Sequence, residues 1–141
     1  MTEAWLNAEI KWAKSDDRAV APSRRFDAEL AFDLYSVCWT GLWRGPHLIP
    51  HVAEYHTFIS FDIPKGYAGF LLPRFGSYYY DMLLTNCVGV KYPGDTHEVT
   101  FIYRQVGDTK FMDGDMIGHI LFLPMPNVTL TQVDRLPLNP L

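Results

Sequence analysis

From about residue 26 onward, apolar and aromatic positions fall in short runs separated by turn-forming residues. The runs at 55–63, 69–72, 99–103 and 117–123 predict strands. Between the runs lie Gly45-Pro46, Pro64 with Gly66, Pro93-Gly94-Asp95, Gly107-Asp108 and Asp113-Gly114-Asp115. Pro124 and Pro126 end the last long run. Strand-length segments at this spacing predict an all-β barrel or sandwich. Residues 1–20 break the pattern. Trp5, Leu6, Ile10 and Ala13 follow helical spacing, with Thr2 placed to cap and Glu3 in the first turn. This predicts a short N-terminal helix that stops at Ser15-Asp16-Asp17. Residues 78–84 fit either a strand or a short helix, and their three tyrosines read as core or interface. The expected organisation is an N-terminal helical extension over 1–20, a β domain over 21–136 and an extended tail over 137–141.

At 141 residues the chain is expected to be one domain that buries its core without disulfides. Aromatic residues make up 15%, which suits a β-rich core or a large subunit interface. The net charge is -4 and no stripe of Lys and Arg occurs, so a nucleic-acid polymer is a poor partner. A free nucleotide stays open, because its phosphates need only a few local donors. Cys38 and Cys87 lack metal or redox spacing and read as reduced core thiols. Neither a basic start followed by an apolar run nor an apolar stretch of ~20 residues is present, so a cytoplasmic protein with no membrane partner is expected.

Chemistry-bearing residues gather in four segments: 31–36, 63–76, 88–98 and 111–121. The first holds Ala31-Phe32-Asp33-Leu34. The second runs from Ile63-Pro64 through Gly66-Tyr67 to Pro73-Arg74-Phe75-Gly76. The third is Val88-Gly89-Val90 followed by Tyr92-Pro93-Gly94-Asp95 and Glu98. The fourth includes Gly114-Asp115 and His119. In this order they resemble the motif series of the trimeric dUTPase and dCTP deaminase superfamily, over residues 26–136.

That resemblance implies a distorted β-barrel of the dUTPase-like, β-clip kind, a homotrimer, and sites between subunits. It implies a pyrimidine deoxynucleotide as ligand and Mg²⁺ carried on its phosphates. Asp33 takes the place of the family's metal-proximal carboxylate, and Mg²⁺ does favour carboxylate, phosphate and water oxygens. Arg74 would neutralise phosphate charge, with Gly76 in the turn that follows. Phe75 replaces a serine of the family, and His119 a glutamine that approaches the phosphates. Asn86, Gly89 and Tyr92 fall in the segment that reads the base and sugar. The family's Gly-rich C-terminal arm has no counterpart.

The third segment bears on the reaction. In dUTPases it carries the aspartate that activates the attacking water, a task suited to a carboxylate within hydrogen-bond reach. Aligned on Gly89 and Glu98, that position is Tyr92, and the family's sugar-packing tyrosine becomes Asp95. Counted forward from Pro73, the position is Lys91. Asp95 and Glu98 are therefore the candidates for orienting water, although Gly94-Asp95 suits a plain β-turn equally. Three functions follow from the resemblance. The first is a nucleotide-binding protein with dUTP diphosphatase-type hydrolysis. The second is an inactive binding, regulatory or assembly module. The third, weaker, is a dCTP deaminase-like enzyme. His47, His51 and His56 invite a metal reading, but Pro46 and Pro50 break the helix such spacing would need.

Overall fold

The computed structural model describes residues 7–77, 82–85, 88–107 and 110–138. Ten strands occur among them: β1 (Lys11–Lys14), β2 (Phe32–Tyr35), β3 (Cys38–Arg44), β4 (His47–His56), β5 (Ile59–Asp62), β6 (Tyr67–Pro73), β7 (Met82–Leu84), β8 (Gly89–Lys91), β9 (Thr100–Gln105) and β10 (Met116–Pro124). They form a β1-β5 ribbon and two four-stranded antiparallel sheets, ordered β2-β10-β6-β8 and β3-β4-β9-β7. The sheets enclose one apolar core, and among the described residues their ladders do not join into a closed ring.

Alternation explains how the sheets face inward. Along β9, Phe101 and Tyr103 are buried and Arg104 is exposed. Tyr55, Tyr103 and Phe111 form an edge-to-face cluster with ring centroids 5.0 to 6.0 Å apart. The Tyr103 hydroxyl donates to the Ile117 carbonyl at 2.7 Å and accepts the Arg74 amide at 2.9 Å. The phenol is thus satisfied inside the core, as a buried hydroxyl requires.

The run at 55–63 is two strands. At Phe58 the backbone turns to φ 52, and the chain leaves one sheet for the ribbon. Buried Thr57 stabilises the corner: its hydroxyl donates to the Val99 carbonyl at 2.6 Å and accepts the Ile59 amide at 3.2 Å.

The helix expected over residues 1–20 is corrected within its described part. Lys11–Lys14 is a strand, and no α-helix occurs among the described residues. The ladder on β5, with Trp12 opposite Phe61, wins over helical spacing in so short a segment. Of the ambiguous segment at 78–84, Met82–Leu84 is a strand. Tyr78, Tyr79, Tyr80, Asn86 and Cys87 lie outside the described residues. Residues 125–138 leave β10 without regular structure, and Leu130 and Leu138 are almost wholly exposed. No helix among the described residues is long and apolar enough to cross a membrane.

Candidate functional site

Strand pairing brings the first and fourth segments together. Asp33 on β2 faces His119 on β10 in the ladder, and Asp33 Oδ1 accepts from His119 Nδ1 at 2.9 Å. The other ring nitrogen, Nε2, accepts the Phe75 amide at 3.2 Å. Both bonds together define the neutral Nδ1–H form, since an imidazolium has no lone pair for an amide. Both ring nitrogens of His119 are thus engaged within the chain, and only Asp33 Oδ2 remains of the pair for an outside ligand.

Arg74 follows β6 in the same sheet. Its guanidinium turns inward, donating from Nη1 to the Met116 carbonyl at 3.2 Å and lying 5.8 Å from the Phe111 ring centroid. Met116 sits where a bulge interrupts the β10-β2 ladder, so Arg74 serves a carbonyl there. After Arg74 the chain turns through Phe75, 86% exposed, and Gly76 at φ 82. That positive φ favours glycine.

The third segment occupies the far edge of this sheet. Gly89 is buried opposite Leu71, and Lys91 stands opposite Gly69. Beyond β8, Tyr92 is exposed and Gly94 takes φ 86 in a turn closed by the Asp95 amide on the Tyr92 carbonyl at 3.1 Å. Asp95 Oδ1 accepts the His97 amide at 3.1 Å and lies 3.0 Å from His97 Nδ1. Lys91 Nζ reaches Asp95 Oδ2 at 3.4 Å and the His97 carbonyl at 3.3 Å. Burial alone would raise the Asp95 carboxyl. The His97 hydrogen bonds and the Lys91 charge outweigh it, so the carboxyl sits below its ordinary value.

Glu98 points elsewhere. Its Oε1 lies 2.7 Å from His56 Nδ1, and His56 Nε2 lies 2.9 Å from Thr40 Oγ1. The two water-orienting candidates therefore belong to separate clusters, and neither contacts Asp33. Sequence reading singled out His56 only with His47 and His51, as a metal trio. Among the described residues, no group of three or more His, Cys, Asp or Glu side chains is placed to hold a metal ion. Thr40 carried no local signal. For Mg²⁺, Asp33 offers one carboxylate with one oxygen committed, a donor set that fits an ion brought on phosphates and not an all-protein cage.

No family model matches the chain. The deoxyuridine 5'-triphosphate nucleotidohydrolases of Tropheryma whipplei strains Twist and TW08/27 are each 29% identical to it over 121 residues, covering 82% of this chain and 79% of the relative. Among solved structures, a mutant dUTPase from phage phi11 of S. aureus superposes with a TM-score of 0.71 at 16% identity, over 91% of this chain and 98% of that one. The dUTPase of Staphylococcus bacteriophage 80alpha gives a TM-score of 0.72, also at 16% identity, over 92% and 98%. The phi11 structure is described as coordinating a structural Mg(II) ion.

Proposed function

We propose that the chain is a divergent member of the dUTPase-fold superfamily that binds a pyrimidine deoxynucleotide at the clefts of a homotrimer and does not hydrolyse it efficiently. The observation that carries this reading is the loop after β8. Tyr92 and Lys91 hold the two positions that could align with the family's water-activating carboxylate, and Asp95 is clamped by Lys91 and His97. A carboxylate whose proton affinity is lowered this way makes a poor base.

In this reading Asp33 Oδ2 meets Mg²⁺ on the phosphates, and the turn at Gly76 presents backbone to them. Arg74 lends positive charge from behind. Asn86 and Gly89 read the base edge, and Tyr92 lies against the sugar. His119 holds Asp33 and the Phe75 amide in place. The cytoplasm, where free nucleotides are found, is the compartment that fits.

A second reading is favoured by the names of the sequence relatives, which are nucleotidohydrolases. In it Asp95 releases Lys91 and orients water.

Thermal melting and a pyrophosphate assay with dUTP, dCTP and dTTP plus Mg²⁺ separate the two. The binding reading expects a rise in melting temperature with one nucleotide, worth about 2.7 kcal/mol at a hundredfold excess over Kd, and no pyrophosphate. Pyrophosphate from dUTP establishes the second reading. Neither stabilisation nor turnover with any nucleotide overturns both.

A further inference from the structure

Away from the Asp33 and Lys91 clusters, three side chains on the β3-β4 side of the molecule line up as carboxylate, imidazole and hydroxyl. Glu98 Oε1 lies 2.7 Å from His56 Nδ1, and His56 Nε2 lies 2.9 Å from Thr40 Oγ1. A carboxylate only accepts, so Nδ1 carries the proton, and in the neutral ring Nε2 then presents its lone pair to the hydroxyl. This is the tautomer a general base needs. It contrasts with His119, whose Nε2 is occupied by a backbone amide. The other carboxylate on this face, Glu54, stands opposite Thr40 in the ladder but accepts from Thr100 at 2.7 Å.

The imidazole is also held in orientation. Phe58 stacks on it, with centroids 5.8 Å apart and planes 19° from parallel. Phe58 achieves this from φ 52, a left-handed backbone conformation unusual for a residue other than glycine. Strained residues of this kind cluster at functional sites. Glu98 and His56 side chains keep 22% and 19% of their exposure, while Thr40 is open to solvent. The hydroxyl is reachable, and its base and orienting carboxylate are sheltered.

We propose that Thr40, His56 and Glu98 form a nucleophilic site that accepts acyl groups from activated carboxylic esters. Thr40 Oγ1 attacks the ester carbonyl carbon while His56 Nε2 takes the hydroxyl proton. The bond from that carbon to the leaving oxygen breaks, and the proton on His56 passes to the leaving group. Water, deprotonated by the same nitrogen, then attacks acyl-Thr40, releases the carboxylic acid and restores the hydroxyl. No oxidant, metal or further reactant is needed. Glu98 acts as a positioning residue through His56.

The test uses the full chain with p-nitrophenyl acetate. p-Nitrophenolate release is followed by absorbance, and the acylated residue is found by peptide mass spectrometry after an acid quench. The expected result is an acetyl group on the peptide bearing Thr40. It should be lost in Thr40→Val, retained in Thr40→Ser, and formed about 100-fold more slowly in His56→Gln. Glu98→Gln should slow acylation and shift its pH profile, which a purely structural role would not do. His47→Gln, changing an exposed histidine outside the site, should leave the rate alone. Acetyl groups only on lysines or other histidines overturn the proposal, as does a Thr40→Val rate equal to the parent's with its melting temperature kept. Because no nucleotide is involved, this outcome is independent of the nucleotide-binding assay.

Discussion

Asp33 and His119 meet across β2 and β10 at 2.9 Å, and the second nitrogen of the same ring accepts the amide of Phe75. One imidazole therefore ties an edge strand to the turn after β6. Replacing His119 by Ala leaves a part-buried carboxylate and an amide without this partner. The expected cost is about 1–3 kcal/mol in denaturant unfolding. Gln can donate to Asp33 and accept the amide, so His119→Gln should cost less than half as much. Equal losses in the two variants would show that ring packing, and not the paired hydrogen bonds, holds this corner.

Gly118 lies under the ring of Phe101, where an added Cβ would overlap ring carbons. Gly118 is paired on both sides, opposite Leu34 on β2 and Pro73 on β6, and the Phe101 ring it faces is itself fully buried. Gly118→Ala should destabilise by about 1–3 kcal/mol through overpacking. Combining it with Phe101→Leu should give a loss smaller than the sum, with a coupling of about 0.5–3 kcal/mol. Strict additivity in the double-mutant cycle would refute the close contact.

Tyr103 gives the fold an alkaline limit. Burial, above all, pushes its phenol up to about 12 from 10.0, with the Arg74 amide and charge opposing. In the unfolded chain the phenol ionises near its ordinary value, about 10. Stability from this group is fully present below that pH and is lost as pH rises toward about 12, a change on the order of 2–3 kcal/mol. Tyr103→Phe frees the Ile117 carbonyl and Arg74 amide from their partner and should cost about 1–3 kcal/mol at neutral pH. It should also flatten the alkaline slope. Urea midpoints measured from pH 7 to 11 check both, and an unchanged slope in the variant would assign the alkaline limit to another group.

Elements with period-two burial were legible from sequence. The runs at 99–103 and 117–123 match β9 and β10 to within a few residues, because Phe101, Tyr103, Ile117 and Ile120 must all reach one core. The first half of β4 was hidden by Pro50 and by polar His47 and His51, and its strand state comes from the pairing of His47 and Leu48 with Arg44 and Trp43 of β3. Lys11–Lys14 reads equally well as a helical turn, and only its partner Ile59–Asp62 decides. For the site, motif order flagged both Asp33 and His119 although they are 86 positions apart. Nothing local marks Glu98 as the partner of His56, 42 positions away, because one lies in the irregular segment before β9 and the other at the end of β4. Long-range side-chain pairs across a sheet leave no periodic trace in the chain.

The loop after β8 offers a gain-of-function experiment. Tyr92 occupies the carboxylate position when the segment is aligned on Gly89 and Glu98, and the residue is 57% exposed. Tyr92→Asp should therefore fold as the parent does, with unfolding free energy within about 0.5 kcal/mol. If, as proposed, the parent binds dUTP without efficient turnover for lack of a water-activating group, the variant should release pyrophosphate from dUTP with Mg²⁺ about 100-fold faster than the parent. In the binding reading Asp95 stays held by Lys91 and His97, so Lys91→Met alone should raise turnover far less. The alternative alignment places the carboxylate at Lys91 and makes Lys91→Asp the active variant instead. Rate recovery in one aspartate variant and not the other fixes the register. Failure of both, with dUTP still bound, would mean that the cleft lacks more than a base, and that Phe75 and His119 have remodelled the phosphate side as well.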